Sequence, residues 1–257
     1  MKKDIRAVFF DLDDTLCAYW AASRKGLRQA IDEAKLPVET DKVLEAWREV
    51  FATFSKEIKT DAWYRHYLES GEPTRTEHIR RTLKTLGIPS EEVAVTISRD
   101  YARLRDQYLA LFPEALPLLR HLQSRYTLGL ITNGPADIQR QEINTLGISE
   151  FFDHIFIEGE FKIGKPHRDI FDAARNKTGN EAHQMLFVGN AFEHDVQGAK
   201  NAGWWAIWVN RGEEVDPGTE PRPDAEIVHL FEVCDWLGIE APKMNVGSGA
   251  VESRIGR

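Results

Sequence analysis

Short apolar runs rich in β-branched or aromatic residues recur at Ala7 to Phe10, Thr127 to Ile131, His154 to Ile157, Met185 to Val188 and Ala206 to Val209. That length and composition predict strands. The runs are near-continuous rather than alternating, which suits strands covered on both faces, as in a parallel sheet built from βαβ units. Between the first run and the second, from about Tyr19 to Phe112, the pattern changes. Charged and apolar residues there follow helical spacing through LRQAIDEAKL, VLEAWREVFATF, TEHIRRTLKTL and EEVAVTISRDYARLRDQYLALF, punctuated by Gly71, Pro73, Gly87 and Pro89. The expected architecture is α/β: a Rossmann-like parallel sheet core over residues 1–16 and 113–240, with a helical cap inserted at 17–112. Ala206 to Val209, with Trp204, Trp205 and Trp208 as core and sheet cover, reads as the last strand. GTEPRPDAE then reads as a polar, Pro-rich loop, and residues 241–257 as a loose tail.

Composition narrows the class without changing that picture. The chain has 257 residues, 42% of them hydrophobic, with 33 Lys and Arg against 41 Asp and Glu and a net charge of −8. Apolar content of this order excludes a disordered chain. The acidic balance argues against a nucleic-acid partner, whose phosphates need neutralising by Lys and Arg. No run approaches the length of a membrane span, and the apolar stretch ending at Phe10 is too short for a signal-peptide core, so a cytoplasmic protein without a membrane partner is expected. Cys17 and Cys234 stand alone and far apart, and read as two buried thiols.

Open parallel sheets place chemistry at the carboxyl ends of their strands. Behind the first run stands DLDDT, so Asp11 and Asp13 emerge where the chain turns. Close carboxylates repel unless a positive charge lies between them, and a hard divalent cation such as Mg2+ would supply it. The same five residues also suit an acidic turn capped by Thr15. Behind the second run, Thr132, Asn133 and Gly134 precede the polar helix DIQRQEINTL, a combination of hydroxyl and backbone N–H groups that suits an anion and equally an ordinary βα turn. Lys165-Pro166 stands at the end of FKIGKP, and the lysine offers a point charge. The fourth run ends at Gly189-Asn190, and Asp195 follows at the head of a helix rich in small residues.

The order DLDDT, strand-Thr-Asn, Lys-Pro, then Gly-Asn with a later Asp resembles the haloacid dehalogenase-like (HAD) hydrolase superfamily, in its subfamily with a helical, C1-type cap. The resemblance covers about residues 5–235. ASRKGL, LITNGPADIQRQEI and VGNAFEHDVQGAKNAG look most like its N-acylneuraminate-9-phosphatase-like branch. What the resemblance implies is a Mg2+-dependent phosphatase of a small phosphorylated metabolite, a sugar or nucleotide phosphate, working as a monomer or homodimer. Asp11 would be the nucleophile and Asp13 the acid and base. Thr132, with backbone N–H groups at Leu12, Asp13 and Asn133, would hold the phosphoryl oxygens. Lys165 would offset charge, and Asp11, Asp13, Asn190 and Asp195 would hold the metal. The family more often has Asp where this chain has Asn190, which removes one negative charge from the metal site. That departure keeps open a non-catalytic binding protein on the same fold. A hydrolytic 2-haloacid dehalogenase is a further alternative, which would need neither Asp13 nor Asp195. His66, Trp63 and Arg65 read as packing in the insert, Arg24 as a solvated residue, and His194 as a neighbour of the site rather than a ligand.

Overall fold

In the computed structural model, residues 4–212 and 215–243 are described. Six strands form one parallel sheet: β1 (Ala7–Phe10), β2 (Thr127–Thr132), β3 (His154–Ile157), β4 (Met185–Gly189), β5 (Trp205–Val209) and β6 (Ala225–Ile227). Their order is β3-β2-β1-β4-β5-β6. The chain therefore winds outward from β1 to one edge, returns, and winds to the other. The gap between β1 and β4 is where the direction switches, and crevices outside such a switch point collect ligands.

Alternation along β1 sorts the core into two layers. Val8 and Phe10 join Leu128, Leu130, Leu186 and Val188 on one face, beneath α6 (Ala115–Leu122), α7 (Ala136–Leu146) and α11 (Glu232–Leu237). Ala7 and Phe9 join Ile131, Phe187, Trp204 and Trp208 on the other, beneath α9 (Arg168–Thr178) and α10 (Gly198–Asn201). A short helix, α8 (Glu158–Phe161), follows β3. Gly129 in β2 lies opposite Phe9, and a Cβ at Gly129 would fall inside the Phe9 ring, so glycine is what lets that ring lie against the sheet.

Two expectations need correction. Trp205–Val209 is not the last strand, because Ala225–Ile227, which begins in the last two residues of the segment read as a loop, pairs with it as β6. A three-residue edge strand bonded on one side needs little apolar character. Asp224 fastens it: its N–H bonds the Ala206 carbonyl, and its carboxylate accepts from the Ala206 N–H and from Lys200. Asp195 heads no regular α-helix, because Phe192–Gln197 is a π-helical turn. Nearly all of the segment read as a loose tail, from 244 onward, lies outside the described residues.

Between β1 and α6 run five helices: α1 (Tyr19–Glu33), α2 (Thr40–Ile58), α3 (Asp61–Glu69), α4 (Glu72–Thr85) and α5 (Glu91–Tyr108). They bury a cluster of their own, with Leu27, Ile31, Val43, Ile79, Leu83, Ile97 and Leu104 at its centre. Pro73 sits in the first turn of α4, where its missing N–H is harmless, and Ser90 caps α5 by accepting from the Val93 N–H. At Gly26 the two helices α1 and α5 approach so closely that a Cβ would stand 2.6 Å from the Arg105 backbone nitrogen.

Arg105 also faces the sheet layer. Its Nε lies 3.8 Å from the carboxylate of Glu142 on α7, and both side chains are buried. Its closer bonds go to Asp106, at 2.7 and 3.0 Å. Burial, with the nearby Asp13 charge next, pushes the Glu142 carboxyl up to about 10, and Arg105 offsets only part of this. An acid raised in this way binds its proton more tightly when folded than at its ordinary value of 4.5, so the burden on stability is absent below pH 4 and grows as pH rises.

Two stability measurements test this packing. Gly129→Ala destabilises the fold by about 1–3 kcal/mol through overpacking against Phe9, read from urea unfolding. Glu142→Gln, which keeps the shape and the uncharged state, stabilises at pH 8 by on the order of 2 kcal/mol, about 4–8 °C in thermal midpoint, and the gain disappears at pH 4.

Candidate active site

The β1 ladder continues one residue past the strand, where the Asp11 N–H bonds the Val188 carbonyl at 3.0 Å. The chain then doubles back: the Leu12 carbonyl accepts from the N–H groups of Thr15, Leu16 and Cys17, and Asp14 takes a left-handed conformation at φ 57°. This turn leaves the Asp11 and Asp13 side chains at the mouth of the crevice while Leu12 is packed in the core.

Asp11 is 7% exposed, and each of its oxygens has a partner. Lys165 Nζ donates to Oδ1 at 2.7 Å and the Thr15 hydroxyl to Oδ2 at 2.9 Å. Lys165 Nζ lies equally close, 2.7 Å, to Asp195 Oδ1, without an aligned hydrogen bond. Burial works against the Lys165 charge, but Asp11 and Asp195 more than offset it and hold its pKa above the usual value. Burial pushes the Asp11 carboxyl up to about 6, with Lys165 pulling down and Asp195 pushing up. Asp13, half-buried at the wall, is pushed up to about 7 by desolvation and then by the Asp11 charge.

Asn133 places Lys165. Its side-chain amide donates to the Lys165 carbonyl at 2.7 Å and accepts from the Lys165 N–H at 2.8 Å, so the tip of β2 holds the loop that carries the cation. Thr132, the last residue of β2, donates its hydroxyl proton to Gln139 Oε1 at 2.6 Å. Asn190 follows β4. Its N–H donates to the Thr15 hydroxyl at 3.1 Å and its Oδ1 stands 3.2 Å from the same oxygen, so Thr15 joins the first and fourth motifs. Asp195 Oδ2 accepts from the Ala191 N–H at 2.8 Å inside the π-helical turn. A side chain at Gly189 would collide with that carboxylate, which is why the strand ends in glycine.

All the residues expected at the site except Leu12 line one crevice of about 860 Å³. Its outer wall comes from the helical insert: Trp20, Phe51, Ile58, Lys59, Tyr64 and Tyr67. Glu158 on the sheet side fastens that wall, accepting from the Tyr64 hydroxyl at 2.7 Å and from the Gly134 N–H at 2.9 Å. His194 lines the crevice half-buried; burial and then the Lys59 charge hold its pKa below the usual value. His66, Arg65 and Arg24 are exposed, and Trp63 packs edge-on against Phe54 at 5.4 Å. Both cysteines are buried thiols.

Sequence reasoning missed Gln139, Glu142, Glu158, Tyr64 and Tyr67, and saw in Thr15 no more than a cap. For one pair a signal was present. Gln139, Glu142 and Ile143 fall on one helical face, and a buried face that carries two polar residues must be pairing them with something. Tyr64 and Glu158 are 94 residues apart, and nothing local connects them.

Among the described residues no helix is long and apolar enough to cross a membrane. N-acylneuraminate-9-phosphatase of Mus musculus is 29% identical over 239 residues, covering 89% of this chain and 92% of the relative, and represents the branch that the motif segments suggested. Glyceraldehyde 3-phosphate phosphatase of Methanothermobacter thermautotrophicus is 30% identical over 80% of this chain and 86% of the relative. The Bacillus subtilis protein YfnB, solved bound to magnesium, superposes with a TM-score of 0.73 at 22% identity, over 92% of this chain and 100% of its own. Structures of 2-haloacid dehalogenases share the fold as well. The family model for haloacid dehalogenase-like hydrolases matches residues 5–203, from the base of β1 to the turn before β5. With its motifs converging on one crevice at the switch point of the sheet, the chain belongs to the haloacid dehalogenase-like hydrolase family.

Proposed function

We propose that this protein is a Mg2+-dependent phosphatase that hydrolyses a small phosphorylated metabolite through an aspartyl-phosphate on Asp11. The carrying observation is the arrangement at the tip of β1. A buried carboxylate is held between Lys165 and Thr15, and a second carboxyl, Asp13, faces the same crevice two residues on. The phosphatase names of relatives matched over most of their length support the same reading.

In this mechanism an Asp11 oxygen attacks phosphorus while the bond to the leaving oxygen breaks, and Asp13 gives that oxygen its proton. Water then attacks the aspartyl-phosphate, Asp13 takes the proton back, and Asp11 is released with inorganic phosphate. Splitting one displacement into two makes each easier. Asp13 suits both roles because a carboxyl raised toward neutral pH can donate and accept. Lys165 keeps Asp11 ionised in its buried position and offsets charge on the incoming phosphoryl group.

The donor set fits Mg2+. Among the described residues no three His, Cys, Asp or Glu side chains gather as a ready cage. Mg2+ does not require one, since it binds through one or two carboxylates with the remaining places left to water and substrate oxygens. Asp195 Oδ1, buried and facing Lys165 at 2.7 Å, is a hard oxygen donor of the kind Mg2+ prefers. The Asp11 carboxylate, the Asp13 carbonyl and Asn190 Oδ1 complete an all-oxygen set. When bound, the cation supplies positive charge to the phosphoryl oxygens.

The helical insert would serve as the cap that closes over the crevice and excludes water. Its Lys59, with Lys162 from the sheet side, gives the outer crevice positive charge beside the apolar wall of Trp20, Phe51 and Ile58, a combination suited to an acidic metabolite. The dehalogenase alternative leaves Asp13 and its hydrogen bonding without a task. Asn190 is what favours a binding protein, a reading that turnover of a phosphate ester would overturn.

The wild-type protein therefore releases inorganic phosphate from p-nitrophenyl phosphate in Mg2+, stops when the metal is chelated, and releases no halide from 2-chloropropionate. Asp11→Asn lowers kcat by roughly 1,000-fold or more; unchanged turnover in that variant would falsify the nucleophile. Asn190→Asp, which restores a negative charge, tightens Mg2+ binding about tenfold in titration calorimetry, in keeping with the dependence of affinity on ligand charge.

A further inference from the structure

Gln139 touches two of the residues assigned above, Asp13 and Thr132, and has no role assigned so far. Its Nε2 donates to Asp13 Oδ2 at 3.2 Å and to Glu142 Oε2 at 3.0 Å, and its Oε1 accepts from the Thr132 hydroxyl at 2.6 Å.

We propose that Gln139 is a positioning residue that holds the Asp13 carboxyl in fixed relation to the tip of β2, so that the proton from Asp13 meets the leaving oxygen of a phosphoryl group seated there. The inference rests on the phosphatase reading above.

Four features make the side chain a rigid part. Gln139 is 3% exposed. It stands in the first turns of α7, where its N–H bonds the Pro135 carbonyl at 3.0 Å, so it is carried by a helix rather than a loop. Gly134 packs over it: a Cβ there would lie 3.3 Å from both Gln139 Cγ and Nε2, and the backbone at Gly134 takes φ 136°, which L side chains rarely adopt. Glu142, one turn along the same helix and fully buried, also accepts from the amide nitrogen and lies beside the Asp13 carboxyl. The amide thus reaches Asp13 across the gap between α7 and the β1 tip, a separation of 126 positions in the chain.

A positioning role for the acid has a signature that loss of packing or of phosphate binding lacks. Phenyl phosphate and p-nitrophenyl phosphate share a body and differ in how much their leaving oxygen needs a proton. For both, kcat/KM reports the phosphorylation step, because the aspartyl-phosphate that follows is common. Gln139→Met is expected to lower kcat/KM for phenyl phosphate by roughly 30-fold and for p-nitrophenyl phosphate by less than about 3-fold, within the range a general acid contributes. Gln139→Glu keeps the size and an acceptor for Thr132 but removes the donor to Asp13, and shows the same selective loss if the Met variant fails to fold. Equal losses on the two esters, or none, in a folded variant overturn the inference and leave the phosphatase reading standing. A wild-type protein that turns over neither ester overturns the phosphatase reading, and this inference with it.

Discussion

Three carboxyl groups, Asp11, Asp13 and Asp195, are gathered at the carboxyl end of the sheet, and one buried ammonium, Lys165, lies 2.7 Å from two of them. Taking charges out of water costs several kcal/mol each unless close opposite charge and hydrogen bonds compensate. Much of the surrounding structure follows from that constraint. Asn133 grips the backbone of Lys165 on both sides, Thr15 covers the second oxygen of Asp11, and Ala191 donates to Asp195. A parallel sheet with β1 at its centre brings these pieces together, because the tips of β1, β2 and β4 are neighbours and the loop after β3 reaches the same edge.

Asn190 bears on the same balance. An aspartate there would add a fourth carboxyl around the one buried lysine, Lys165. The amide keeps an oxygen in place, shares the Thr15 hydroxyl with Asp11, and leaves Lys165 to face two close carboxylates. Gly189 and the π-helical turn then set where Asp195 can stand, since a Cβ at Gly189 would take the volume of its carboxylate.

The helical insert is tied to this centre at more than one level. Near the mouth, Tyr64 donates to Glu158 and the Ser70 hydroxyl to Asp137. Deeper in, Arg105 of α5 approaches Glu142 of α7, which bonds Gln139, which bonds Asp13 and Thr132. A continuous line of polar side chains therefore runs from the insert to Asp13 and Thr132. Such networks have value when every member is satisfied, and a vacancy in one member is felt by its neighbours.

The sequence by itself determined the β1 to β5 strands, the helical character of the insert, and the four segments that end in Asp11, Thr132, Lys165 and Asn190. Each is a local matter: a buried strand must be an apolar run, and a strand tip must change to polar residues that can turn the chain. The β6 edge strand escaped because pairing on one side asks little of its composition, and the π-helical turn at Phe192–Gln197 because its spacing differs from that of an α-helix by a fraction of a residue. Tertiary structure alone decided that Thr15 joins Asp11 to Asn190, that Gln139 spans Asp13 and Thr132, and that Tyr64 meets Glu158. These are contacts between polar groups far apart in the chain, and a hydrogen bond has no period along a sequence. Whether a buried Gln or Glu is a partner or an error is answered only by what the fold sets opposite it.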